Sequence, residues 1–172
     1  MEIWDLYDKN RHPLGKTKIR GEKFDKDDYH IVVHVCIFNS KNEMLIQQRQ
    51  PFKKGWPGLW DVTIGGSALQ GEDSSACAKR EIFEEIGLEM DFENKRPFLT
   101  VHFAFGFDDY YIIEEDVNLD TLKLQPEEVA AVKWADKETI IKLIDNTMFV
   151  PYHKNLIGLL YDLKDQRGAH YK

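Results

Sequence analysis

The run Ile31-Val32-Val33-His34-Val35-Cys36-Ile37-Phe38 is β-branched and almost unbroken by polar residues, the pattern of a strand buried on both faces. Asn39-Ser40-Lys41-Asn42 supplies a turn into Met44-Leu45-Ile46, so these segments predict a hairpin near the centre of a sheet. Residues 3–8 read as a short strand or extended arm, followed by a polar turn region through Asn10, Pro13 and Gly15. Further strands are expected over 61–64, over 99–107 and 110–114 as a pair, and over 129–134. Gly65-Gly66 and Gly71 break the chain ahead of a helix over 76–86, for which Glu72-Asp73-Ser74-Ser75 offers N-caps and Gly87 the stop. Asp136 caps a helix over 137–144, and a last helix over 152–164 places Leu156, Leu160 and Leu163 on one face. The order of strands, helix, strands, helices predicts an α+β arrangement, a mixed β-sheet sandwiched between α-helices. Nothing marks a boundary, so residues 1–172 read as one domain with an N-terminal arm of about 30 residues.

Composition narrows the function classes. The chain has 172 residues, 42% of them hydrophobic, enough for a core that needs no disulfides. With 23 Lys+Arg against 30 Asp+Glu and a net charge of -7, the acidic balance excludes a surface that coats a nucleic-acid polymer. Cys36 and Cys77 are too few for a disulfide framework or a Cys-rich zinc site, and read as two buried, reduced thiols. The opening MEIWDLYDKN lacks the apolar stretch of a signal peptide and no run approaches a membrane span, so the cytoplasm is the expected location. The apolar residues of the N-terminal arm are where a homodimer would form.

The chemistry lies in Arg80-Glu81-Ile82-Phe83-Glu84-Glu85-Ile86-Gly87. On a helix, Glu81 falls three and four positions from Glu84 and Glu85, so the three carboxylates share one side. Each such like-charge pair costs roughly 0.2–0.5 kcal/mol, and Arg80, four residues from Glu84, offers partial relief. A divalent cation would relieve the rest, and an oxygen-only ligand set favours a hard ion such as Mg2+. By spacing alone a solvated acidic stripe fits as well.

The wider pattern is more specific. Gly66, five residues, Glu72, seven residues, then Arg80-Glu81-Ile82-x-Glu84-Glu85-x-Gly87-Leu88 resembles the complete Nudix box over residues 66–88. That resemblance implies the Nudix fold and hydrolysis, with Mg2+ or Mn2+, of a diphosphate linked to another moiety by water attack on phosphorus. It implies that Glu81, Glu84 and Glu85 bind metal, with the Gly66 carbonyl a frequent further ligand and Glu72 a weaker candidate, and that Arg80 orients the glutamates. The chemistry agrees: cations neutralise the diphosphate and acidify a water, and a free carboxylate takes the proton.

Outside the box, residues 30–39, Gln47-Gln48-Arg49 and Lys53-Lys54-x-Trp56-Pro57-Gly58-x-Trp60 resemble the isopentenyl-diphosphate isomerase branch of the superfamily. By that resemblance Arg49 and Lys53 are expected to grip the substrate diphosphate. The isomerase cysteine and its neighbouring histidine are replaced here by Gly65 and Ser67, and His30, near an isomerase metal ligand, reads as structural. With the box whole and those two groups missing, hydrolysis of a small nucleoside-diphosphate-type substrate is expected ahead of isomerisation. A non-catalytic nucleotide-binding module is the third reading, and the clustered carboxylates oppose it. Trp56, Trp60 and the aromatic residues over 103–111 are candidates to stack on a base, and Glu127 and Glu128 for a distal catalytic glutamate. Asp108, Asp109 and Glu114-Glu115-Asp116 read as a solvated loop and edge.

Overall fold

The chain forms β1 (Ile3–Tyr7), β2 (Pro13–Ile19), β3 (His30–Phe38), β4 (Met44–Arg49), β5 (Trp60–Asp61), β6 (Ile64–Ser67), α1 (Ser74–Ile86), β7 (Leu99–Phe103), β8 (Gly106–Glu114), a 3-10 turn (Leu119–Thr121), β9 (Val129–Ala135), α2 (Lys137–Asp145) and α3 (Lys154–Asp165). This computed structural model describes residues 2–165 and 168–170. β1 and β2 pair with each other; the other seven strands form one mixed sheet in the order β5-β4-β3-β8-β7, with β6 added on β3 and β9 on β4. β3 alternates between two cores, as the period-two geometry of a strand requires. Val33, Val35 and Ile37 pack with Cys77, Ala78, Ile82 and Ile86 of α1, whereas Cys36 and Phe38 pack with Ile140 of α2 and Ile157 and Leu160 of α3. The expected layering of a mixed sheet between helices is therefore present, with both cysteines buried and free. Among the described residues no helix is long and apolar enough to cross a membrane.

Four expectations need correction. β3 and β4 do not continue as a hairpin: they pair only at Phe38–Met44, after which β3 takes β8 in parallel and β6, and β4 takes β5 and β9. The Thr63 hydroxyl enters the split, accepting from the Ile37 amide (2.9 Å) and donating to the Leu45 carbonyl. The N-terminal arm, read as a strand and a polar turn region, is a β1–β2 hairpin whose Trp4 and Leu6 are buried in this chain and unavailable to a partner, whereas Leu14 and Ile19 of β2 stay exposed. Gly65 and Gly66 do not break the chain but pair in β6 with His34 and Val33, where a side chain at 66 would overlap the Glu81 carboxylate.

The fourth correction concerns Asp108 and Asp109, which lie inside β8 rather than at a turn; the chain reverses at residues 104–105. Asp109 is fully buried because Arg11, from the β1–β2 turn, and the Thr100 hydroxyl (2.6 Å) satisfy its carboxylate, and Asp108 faces His34 (3.1 Å). These long-range partners let two acidic residues occupy a strand interior.

Candidate active site

Helix α1 starts where the Asp73 side chain accepts from the Ala76 amide (2.8 Å) and stops at Gly87, whose φ of 69° favours glycine and where a Cβ would stand 2.8 Å from that of Lys123. Burying Cys77, Ala78, Ile82 and Ile86 on β3 and β6 fixes the rotation of the helix, and that rotation carries Glu81 and Glu85 inward while Glu84 stays at the surface. A cavity of about 490 Å³ brings together Glu81, Glu84 and Glu85 from α1, Gly66 from β6, Arg49 from the end of β4 and Lys53 from the loop after it. Arg80 borders the same cavity.

Arg80 organises the box. Its Nε and Nη2 donate to the two Glu72 oxygens (2.6 and 2.9 Å), and Nη1 reaches Glu84 (3.0 Å) and Glu81 (2.9 Å). A last bond from Nη2 to the Ser67 carbonyl (3.1 Å) ties the helix to β6. Glu72 also accepts the Leu69 amide (2.9 Å) and does not line the cavity, so it backs Arg80 instead of joining the inner carboxylates.

Glu85 is 5% exposed and has one side-chain donor, Gln47 Nε2 at 2.9 Å. Burial, then the neighbouring charge of Glu81, pushes its carboxyl well above the usual range, against the pull of Gln47. Burial likewise pushes Glu81 up to about 7, with Arg80 opposing and Glu84 adding to the rise. Among the described residues no three His, Cys, Asp or Glu side chains already stand as a cation-binding cluster, since Arg80 holds Glu81 and Glu84 while Glu85 turns to Gln47. The donor set nevertheless fits a hard divalent ion: carboxylate oxygens around one cavity, with Glu85 facing the like charges of Glu81, Glu128 and Asp61 and short of a positive partner.

Arg49 and Lys53 reach the cavity already paired. Arg49 Nε donates to the Gly55 carbonyl (3.0 Å) and Nη1 lies 3.5 Å from Asp61, while Lys53 forms an ion pair with Glu128. Of the two distal candidates, Glu128 thus lines the cavity and the exposed Glu127 does not. Of the aromatic candidates, Trp56 stands half-exposed at the cavity, Trp60 is covered by the Lys133 ammonium 4.2 Å from its ring, and none of residues 103–111 lines it. His30 also lies outside the cavity, stacked on Trp4 at 4.6 Å. Gln47, His34, Asp61 and Tyr152 escaped the sequence reading. The one available signal was a polar residue inside an apolar strand run, as His34 is in β3 and Gln47 in β4.

Residues 28–157 match the family model described as NUDIX domain. The chain is 47% identical over 171 residues to an uncharacterised Nudix hydrolase of Listeria innocua, covering 99% of this chain and 100% of that relative. It is 28% identical over 152 residues to an isopentenyl-diphosphate Delta-isomerase of Pectobacterium atrosepticum, covering 85% and 81%. Among solved structures, a protein of Deinococcus radiodurans shares the fold with a TM-score of 0.74 at 22% identity, covering 94% of this chain and 98% of its own.

Proposed function

The chain belongs to the NUDIX family of hydrolases, and from that premise we propose that it cleaves a phosphoanhydride bond in a small nucleoside-diphosphate-type substrate by water attack on phosphorus. Mg2+ or Mn2+ would be held by Glu81, Glu84, Glu85 and the Gly66 carbonyl. The observation that carries this reading is the meeting of those residues with Arg49 and Lys53 around one cavity. A bound divalent cation supplies charge neutralisation for the diphosphate and acidifies water. Arg80 orients Glu81 and Glu84, Gln47 orients Glu85, and a carboxylate of the set accepts the proton of the attacking water. Arg49 and Lys53 hold the diphosphate, their planar fork and point charge suiting its oxygens. The whole chain acts as one domain in the cytoplasm, on a small molecule and not on a nucleic-acid polymer or a membrane.

The test is a screen for phosphate and pyrophosphate release from nucleotide, nucleotide-sugar and prenyl diphosphates, with and without Mg2+, repeated for Glu85→Gln. Release that needs the metal and drops by at least about 100-fold in the variant is expected, since both charge and proton acceptance are lost. Inert substrates throughout, or full activity in Glu85→Gln, would overturn the reading. The 28% identity to an isomerase favours a second reading, diagnosed by isomerised prenyl diphosphate without phosphate release; against it, Gly65 has no proton to move where the isomerase has its cysteine, and the Ser67 hydroxyl is a poor metal ligand where it has a histidine.

A further inference from the structure

A chain of partly buried polar contacts, with Asp61 its one buried member, runs away from the glutamates along the wall of the same cavity. Arg49 Nη1 faces Asp61 Oδ2 (3.5 Å), and the other Asp61 oxygen accepts the Tyr152 hydroxyl (2.8 Å) and the Val62 amide (2.8 Å). The Tyr152 oxygen lies 3.3 Å from His34 Nδ1, and His34 Nε2 lies 3.1 Å from Asp108. The His34 ring is stacked on Tyr110 at 4.6 Å, which fixes the direction of both nitrogens. Four strands and the segment before α3 each contribute a member, so no local turn or cap requires the arrangement.

The cost of such a wall is the argument for its use. Asp61 is 6% exposed, and a carboxylate so buried is unfavourable unless partners hold its charge. Burial pushes its carboxyl above the usual range, against the pull of His34, Tyr152, Arg49 and the Val62 amide, and those contacts fix one oxygen on Tyr152 and Val62 and leave the other facing Arg49. An apolar wall would cost the fold less. What the arrangement achieves is local: with Nε on the Gly55 carbonyl and Nη1 toward Asp61, the Arg49 guanidinium is held on two edges. A guanidinium pre-set in this way loses less side-chain freedom when it meets a phosphate.

We propose that Tyr152 and His34 are positioning residues for substrate binding, acting through Asp61 to aim Arg49 at the diphosphate. The inference rests on the reading of Arg49 as a diphosphate contact and assigns roles to residues outside the box. Neither residue takes part in the chemical step.

The test is calorimetric binding of methylenediphosphonate, with Mg2+, to the wild-type chain, Tyr152→Phe, His34→Phe, Arg49→Ala and the Arg49→Ala/Tyr152→Phe double variant. Tyr152→Phe should weaken binding about 5-fold, as befits one lost hydrogen bond acting through a partner. His34→Phe, which keeps an aromatic ring at the position of the stack on Tyr110, should weaken it about 3-fold. Arg49→Ala should lose at least about 30-fold, and the double variant no more than Arg49→Ala alone. Tyr161→Phe is the structural control: it removes another buried hydroxyl, bonded to the Ala135 carbonyl at 2.7 Å and remote from the cavity, and should bind as wild type. With the substrate found by the screen, KM should rise by the same factors at unchanged kcat. Unchanged affinity in Tyr152→Phe, a loss fully additive with that of Arg49→Ala, or an equal loss in Tyr161→Phe overturns the inference. A wild type that releases phosphate but binds no probe overturns it too, whereas a wild type inert in the screen overturns the hydrolase reading.

Discussion

His30 shows how far a single side chain can depart from what its type suggests. It is 7% exposed, stacked on Trp4, with Phe103 edge-on at 5.7 Å, and its Nδ1 has no hydrogen-bond partner among the described residues. Burial holds its pKa down to about 4, against a weaker upward pull from Asp108. In the unfolded chain the ring takes up its proton near the usual 6.5. Between these values the unfolded state binds more protons, so stability is full above pH 6.5 and falls as the pH drops toward 4, by about 3 kcal/mol over the window. Urea midpoints measured from pH 7 to 4.5 should show that slope, and His30→Phe should flatten it. The box residues were legible because their relation is local: spacings of three and four along a helix put Glu81, Glu84, Glu85 and Arg80 together before any tertiary contact is known. Asp109 was misread for the opposite reason, since its partner Arg11 lies 98 residues away and no window of sequence contains both.

At the scale of elements, the helices were the most readable. Capping is written beside the helix it ends, and α1 and α2 begin after the side chains of Asp73 and Asp136 as the sequence suggests. Most strands were found as segments, β2 being read as a turn region, and the pairing of β7 with β8 was expected; the partners of β3 and β4 were not, because nothing in residues 30–46 says that the two strands part after one rung. Thr63 occupies that parting. Replacing its hydroxyl by a methyl leaves the Ile37 amide and the Leu45 carbonyl buried without this partner, so Thr63→Val should destabilise the protein by about 2 kcal/mol in urea unfolding despite the matching volume. A change below about 0.5 kcal/mol would show that the two strands close over the gap unaided.

For the molecule as a whole, the N-terminal hairpin is tied to the main sheet by the Arg11–Asp109 pair, whose acid partner is fully buried. Arg11→Ala removes the counter-charge and leaves Thr100 alone to satisfy Asp109, so a loss of about 3 kcal/mol is expected in denaturant unfolding. Loss of the Arg11 guanidinium from over the Phe107 ring, 5.5 Å from its centroid, would contribute part of it. The tie also bears on the cavity, because Glu2 and Arg20, at the far ends of the hairpin and paired at 2.6 Å, form part of its lining. The parted strands have a mechanical meaning at this scale. β3 carries β6 and α1, with the acidic groups; β4 carries β5 and β9, with Arg49 at its tip, so the molecule resembles a two-tined fork whose root is Phe38, Met44 and the Thr63 rivet. The gauge between the tines is then set at the root. Repacking there would widen or narrow the reach offered to a substrate while every group that touches it keeps its identity.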